Sequence, residues 1–539
     1  MQQPGSQRAE QLNTRAVGVV GLAVLCSRIL GLARDQITSA LFGGGKLMDA
    51  FTIAFRIPNL LRDLFAEGAL STAFTTTFSK LSVSDGDAAA WRLANKICTL
   101  AIVVLSAITL LGISASPWLV GLLAPGFDPA KAALTITLTR VMFPFILLVS
   151  VAALAMGMLN ARNLFGVPAM ASSFFNLGSI VVGIGLGWWL DPDFGPRAVL
   201  GLSIGTLVGG ALQLAVQLPS LHRAGYVFHP DFSWRDAGVD SILRLMGPSV
   251  IAASTVQVNV LVNSMFASKL GDGPTYWLSI AFRLMQLPLG IFGVALGTVA
   301  LPLLARMAAS GNLTGFRSEL ARGMRLAFLL TVPATIGLII LAEPIMSVLY
   351  QHGRFTAYQT AESAGALRFY ALGLCSYAAL KVLVNAFYAL ERRKTPMIVS
   401  LLAVGLNLLL NWIFTLRLGW GHRGLALSTG CIAIFNFLIL YLIMRRQLRL
   451  LETRAMARML MKLTVASVAL VAVCWAGAHF GLSDWATQAF WAKCAWLFTT
   501  IVAGGGVFVA CALAMHIDEV EHLRDIVNRK LRRSTPATR

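Results

Sequence analysis

A chain of 539 residues, 57% of them hydrophobic and only 13% charged, with a mean hydropathy of +0.73, has too little polar surface to cover a water-soluble fold. The formal net charge of +20 is the balance of a nucleic-acid binder, but the basic residues cluster in alternate connections between apolar runs, which is the distribution of membrane topology and lipid attraction. Seven cysteines in apolar runs without paired spacing, and seven scattered histidines, offer neither a disulfide framework nor a metal site, and no cofactor is expected.

About twenty residues cross a bilayer core, and apolar runs of that length occupy roughly 16–42, 49–80, 93–121, 132–159, 168–190, 198–218, 244–268, 275–305, 324–350, 361–390, 396–416, 424–444, 461–481 and 489–515. These are about fourteen transmembrane helices of an all-α polytopic membrane protein. The first lacks a small-residue cleavage site and is followed by charged spans, so it is not a removable signal peptide. Connections on one side carry Arg92, Lys96, Arg162, Arg223, Arg235, Arg306, Arg317, Arg392, Arg393, Lys394, Arg445 and Arg446. The other side has little beyond Lys46, Lys131, Arg197, Lys269, Arg354, Arg417 and Arg423. This asymmetry places both termini in the cytoplasm, as an even number of spans requires. The expected organisation is an N-lobe of six spans over 1–218, a polar, partly amphipathic cytoplasmic linker over 219–243, a C-lobe of six spans over 244–446, and over 447–539 two further spans with a basic cytoplasmic tail.

The first two spans hold Arg28, Arg34, Asp49, Arg56, Arg62, Asp63 and Glu67. A charge near the centre of a transmembrane helix costs about 2.5–3.5 kcal/mol on insertion scales, so such a group persists only where it faces a watery cavity or its own members. Snorkelling to headgroups accounts for Arg34 or Arg62 singly but fits the set poorly. Adding Arg140, Arg283, Arg368 and Lys381, cations outnumber carboxylates, and an uncompensated cationic cavity suits an anionic ligand. Arginine suits phosphate because its planar fork donates two parallel hydrogen bonds and stays protonated. Arg28, Arg34 and Arg283 are expected to converge on an anionic headgroup with Arg62 near them, and Asp49, Arg56 and Glu67 to act as charge partners or a gate. Arg140, Arg368 and Lys381 stand singly in apolar helices and read as structural or snorkelling charges. Gly43-Gly44-Gly45 lacks the Lys-Ser/Thr ending of a phosphate loop and reads as a hinge or tight turn.

Sliding the chain against itself by 227 residues places Phe55-Arg56 on Phe282-Arg283, Phe65 on Phe292 and Ser27 on Ser254. A second echo joins Leu159-Asn160-Ala161-Arg162 to Leu390-Glu391-Arg392-Arg393. Internal symmetry of this kind is expected of transporters whose two lobes rock about a midplane site, and six spans per half make the repeats parallel.

The segments Ser27-Arg28-Ile29-Leu30-Gly31, Ala33-Arg34-Asp35, Asp49-Ala50-Phe51, Pro58-Asn59-Leu60-Leu61-Arg62, Phe65-Ala66-Glu67-Gly68-Ala69 and Arg283-Leu284-Met285 resemble the MurJ (MviN) lipid II flippases, and the resemblance covers nearly the whole chain. It implies a multi-pass protein of the bacterial inner membrane in the multidrug/oligosaccharidyl-lipid/polysaccharide exporter superfamily: a V-shaped, monomeric transporter with two extra C-terminal helices. The implied cargo is lipid II, undecaprenyl-pyrophosphate-linked disaccharide pentapeptide, moved outward for peptidoglycan synthesis alongside the cell-wall synthesis machinery. The family's functional arginines fall on Arg28, Arg34, Arg62 and Arg283 and its acidic residue on Asp49, whereas Gln286, Asp63 and Arg56 depart from residues that some relatives carry. Competing readings are an exporter of another polyprenyl-linked glycan and a membrane-embedded glycosyl or phosphoryl transferase using Asp49 or Glu67 as base, for which the connections are short.

Overall fold

A computed structural model of the chain describes residues 14–63, 70–448, 451–481, 488–521 and 524, and all regular structure among them is helical. Among the described residues nine helical stretches are long and apolar enough to cross a membrane, ten if Ala357–Ala371 and Leu374–Ala389, which meet at 41°, form one broken span. The expected spans outside this set, near 16–42, 49–80, 244–268 and 275–305, are helical where they are described, and they carry most of the candidate charges. Compactness divides the chain into two units: the first runs to Tyr276 and includes His352–Phe355, and the second comprises Trp277–Gln351 and the chain from Thr356 onward.

The first unit contains α1 (Thr14–Phe42), α2 (Lys46–Arg62), α3 (Ser71–Ser84), α4 (Asp87–Leu123), α5 (Pro129–Met142), α6 (Phe145–Ala161), α7 (Gly166–Leu190), α8 (Pro196–Ala215), α9 (Leu218–Arg223), α10 (Ala237–Ser268) and the first turn of α11 (Pro274–Pro288). The Gly43-Gly44-Gly45 stretch is the tight turn between α1 and α2, with Gly43 at φ +70°, where a side chain would be strained. Asp128 starts α5 by accepting from the N–H groups of Ala130 and Lys131, with Pro129 in the first turn, where its missing N–H costs nothing. Buried Phe74, Phe78, Leu93, Ile97, Leu154 and Leu159 form the core of α3, α4 and α6.

The pair α7 and α8 packs backbone to backbone. A Cβ on Gly205 would lie 2.3 Å from Gly183 Cα, one on Gly201 2.3 Å from Gly187 N, and one on Gly209 2.5 Å from the Phe175 carbonyl oxygen. Small residues four apart let helices approach this closely where lipid supplies no hydrophobic drive between them. Beyond α9, residues 224–236 are strapped along α4: Asn95 accepts from the His229 N–H at 3.2 Å, Thr99 from the Asp231 N–H at 3.0 Å, and Lys96 donates to Asp236 at 2.8 Å. Asp236 also caps α10 through the Gly238 N–H.

The second unit continues α11 through a π-turn at Leu289–Gly293 into α12 (Val294–Ala309). Pro288, which has no N–H to give the helical ladder, immediately precedes that turn. There follow α13 (Leu313–Ile340), α14 (Ala342–Tyr350), α15 (Ala357–Ala371), α16 (Leu374–Ala389), α17 (Lys394–Asn411), α18 (Gly421–Leu448), α19 (Thr453–Ala476) and α20 (Phe490–Ala514). Phe316, Met324, Val382, Phe387 and Met444 lie in its core, and α19 and α20 pack on α13 through Leu329, Leu463, Leu470 and Phe508. Arg325 of α13 is gripped by Glu452 and Glu519, tying the segment after α20 to α13.

The two halves end one pair of helices identically. After α6 the Leu164 N–H donates to the Leu159 carbonyl at 2.9 Å with Asn163 at φ +61°, and after α16 the Arg392 N–H donates to the Phe387 carbonyl at 2.9 Å with Glu391 at φ +58°. Both are Schellman caps with a non-glycine residue in the left-handed region, 228 residues apart. Likewise Asp63 has a π-type turn, and Leu289–Gly293 includes Gly290, the position that the 227-residue repeat assigns to it.

Candidate substrate site

Arg28 and Arg34 lie on α1 in different surroundings. Arg28 is exposed beside Leu25 and Ile29 and makes no ion pair among the described residues. Arg34 is half-buried: its Nε and Nη2 both donate to Asp35 Oδ1, at 3.3 and 3.1 Å, and its guanidinium stands 5.6 Å from the Phe175 ring of α7. Asn176, beside that ring, donates to the Ser27 carbonyl at 3.1 Å and so pins α1 to α7. At the far end of α1, the hydroxyls of Ser39 and Tyr276 share a 2.5 Å hydrogen bond.

On α2 the charges form a ladder. Asp49, Arg56 and Asp63 recur every seven residues, hence along one helical face. Asp63 accepts from Gln257 at 3.4 Å, Arg56 donates to Ser264 at 2.6 Å, and Asp49 accepts from the N–H groups of Gly273 at 2.7 Å and Tyr276 at 2.8 Å. The partners advance along α10 and into α11 as the positions on α2 descend, so the rungs are antiparallel. Arg62 repeats the geometry of Arg34, its Nε and Nη2 donating to Asp63 Oδ1 at 3.2 and 2.8 Å.

Two expectations are corrected here. Among the described residues Asp49 pairs with no arginine: its salt bridge is to Lys131 at 2.8 Å, and the two side chains are 0% and 2% exposed. Lys131 in turn is not a loop charge but a buried residue of the first turn of α5, bonded also to Asp272 at 2.8 Å and placed 4.1 Å from the Phe127 ring. The Asp128-Pro129 start makes Lys131 look like a connection residue, and its partners lie 82 and 141 positions away, beyond any local pattern. Asp35, Ser264 and Gln257 were likewise missed. Adjacent residues on a helix do not ordinarily face each other, and only the length of the Arg34 side chain lets it fold back onto Asp35.

In the second unit Arg283 and Gln286 are exposed on one side of α11. Arg368 meets Glu343 at 3.4 Å, a structural pairing, while Arg140 and Lys381 are exposed on their helices. Glu67 lies outside the described residues. Among the described residues no three His, Cys, Asp or Glu side chains come together to hold a metal ion, and all seven cysteines are free thiols.

The family described as "Lipid II flippase MurJ" matches residues 38–495. The chain belongs to the MurJ family. Among curated MurJ relatives, a lipid II flippase of Burkholderia cenocepacia is 35% identical over 439 residues, covering 80% of this chain and 84% of its own. A probable lipid II flippase of Haemophilus influenzae is 32% identical over 509 residues, 92% of this chain and 98% of its own. The MurJ fold is shared as well. A solved lipid II flippase MurJ in an inward closed conformation matches with a TM-score of 0.76 at 24% identity, covering 94% of this chain and 99% of that one. An inward-facing multidrug resistance MATE transporter of the MOP superfamily matches with a TM-score of 0.67 at 15% identity, covering 79% and 96%.

Proposed function

We propose that this chain flips lipid II from the cytoplasmic to the outer leaflet of the bacterial inner membrane by alternating access, with Arg28, Arg34, Arg62 and Arg283 holding the pyrophosphate. Membership of the MurJ family carries the reading. The chemistry agrees with it: guanidiniums borne on membrane-spanning helices suit a diphosphate, which accepts forked N–H pairs and balances charge that lipid would penalise. Arg34 and Arg62, each already forked onto a neighbouring carboxylate, would exchange or share that partner with the cargo's phosphates. Arg56 and Glu67 serve as charge partners or a gate. Two six-span lobes, 1–218 and 244–446, alternate access, with both termini cytoplasmic and the last two spans and tail over 447–539 appended.

The test is cleavage of lipid II by an externally added lipid II-cleaving enzyme in cells where the protein is shut off quickly and replaced by Arg283→Ala. Loss of cleavage on shut-off, unrescued by a variant present at normal membrane level, supports outward flipping through the arginines. Undiminished cleavage with no second flippase present removes lipid II as cargo.

A further inference from the structure

Lys131 has no place in the reading above, yet it is the most completely buried cation among the described residues, and its ammonium is divided between Asp49 and Asp272 at 2.8 Å each. Asp49 spends its other bonds on the chain: Oδ2 takes the Gly273 N–H and Oδ1 the Tyr276 N–H. Those groups bracket Pro274, the first residue of α11, so Asp49 caps from outside a helix whose preceding residue, Gly273, has no side chain to do so. Arg283 lies seven residues beyond Tyr276, about two turns along and on the same face. Cap and arginine are thus carried by one continuous helix.

We infer that Lys131 is a positioning residue for transport: its ion pair holds the Asp49 carboxylate aimed at the first turn of α11, the helix that goes on to bear Arg283. A carboxylate wholly inside the protein is costly without a counter-charge and protonates instead. A protonated Asp49 loses acceptor strength for both N–H groups. Asp272, about half exposed, gives the ammonium a second acceptor, so that Lys131 stays neutralised whenever Asp49 departs from it. The inference rests on the proposed role of Arg283.

Two readouts on the full chain test it: hydrogen exchange of the Gly273 and Tyr276 amides in lipid nanodiscs, and lipid II exposure in cells. Lys131→Met is expected to speed exchange at both amides about tenfold, the loss of a charge-assisted hydrogen bond, and to lower transport to a similar degree at unchanged membrane level. Lys131→Met combined with Asp49→Asn buries no lone charge and keeps an oxygen facing the amides, so it recovers part of both. Lys131→Asp combined with Asp49→Lys restores an ion pair but presents an ammonium, which accepts nothing, and recovers thermal stability without transport. Wild-type exchange in Lys131→Met, or full transport in the charge-swapped pair, overturns the inference. If Arg283→Ala transports normally, the headgroup reading falls, while the exchange of the two amides still judges Lys131.

Discussion

Arg34 and Arg62 each fold back onto the carboxylate next in sequence, so the charge each offers an anion is set by how firmly that carboxylate holds it. Asp35 is the more buried of the two, with its side chain 8% exposed against 32% for Asp63. Removing its charge takes one counter-charge away from Arg34. Asp35→Asn is therefore expected to bind a soluble pyrophosphate headgroup analogue several-fold more tightly, since charge-assisted hydrogen bonds are worth about 1.5–3 kcal/mol, and to turn over more slowly because release is hindered. Titration calorimetry on the purified protein reads the first effect and lipid II exposure in cells the second; unchanged affinity would show that Asp35 does not compete with the ligand. At this scale the sequence reveals which residues are unusual, because an arginine in an apolar run stands out by cost alone. It does not reveal partners: Ser264 is 208 residues from Arg56, and nothing local distinguishes it from other serines on α10.

Between elements, the ladder from α2 and the glycine seam of α7 and α8 are opposite solutions to holding helices together in lipid. The ladder reaches through side chains of three or more atoms, whereas the seam removes side chains altogether. Because the obstacle at Gly205 is backbone, Gly205→Val has nothing that can yield and should lower stability by about 1–3 kcal/mol, or prevent accumulation in the membrane. Gly185→Ala is the control, since a Cβ there meets nothing within 4 Å. Thermal unfolding in detergent compares the two, and equal melting temperatures would mean that the seam relaxes. The helices were readable because apolar length is written directly into the residues. The seam was not, because spacing of small residues shows which helices can approach closely without showing which neighbour they meet.

For the molecule as a whole, the strap over 224–236 is the part most exposed to solution conditions. Asp236 has its carboxyl held below the ordinary range, chiefly by the Lys96 hydrogen bond and then by the Gly238 N–H, and Asp231 is held low by the Ser233 hydroxyl and N–H. A carboxyl whose folded pKa is depressed contributes stability that is present above its unfolded value, about 3.9, and is lost as pH falls through the folded one. Proteolysis of the strap at its exposed residues should therefore be insensitive to these two groups near neutral pH and accelerate only below about pH 4. Asp236→Asn should accelerate it wherever the carboxyl is otherwise ionised, and equal cleavage of variant and wild type at pH 7 would remove Asp236 as the anchor. The overall class and cargo family were legible because charge distribution and the first-hairpin segments are global properties of the chain. The compact division in the first turn of α11 was not, since it depends on which helices touch and not on where the polar linker falls.

The matching caps after α6 and α16 have a historical consequence. A left-handed Asn163 or Glu391 carries a conformational cost that glycine would avoid, so finding the same choice 228 residues apart is what the duplication of one ancestral gene leaves behind. An ancestor with an even number of crossings would insert both copies the same way up, and such a protein works before fusion as a symmetric pair of identical chains. On that plan Arg28, Arg34 and Arg62 fall in the first copy and Arg283 in the second, while α19 and α20 lie outside it.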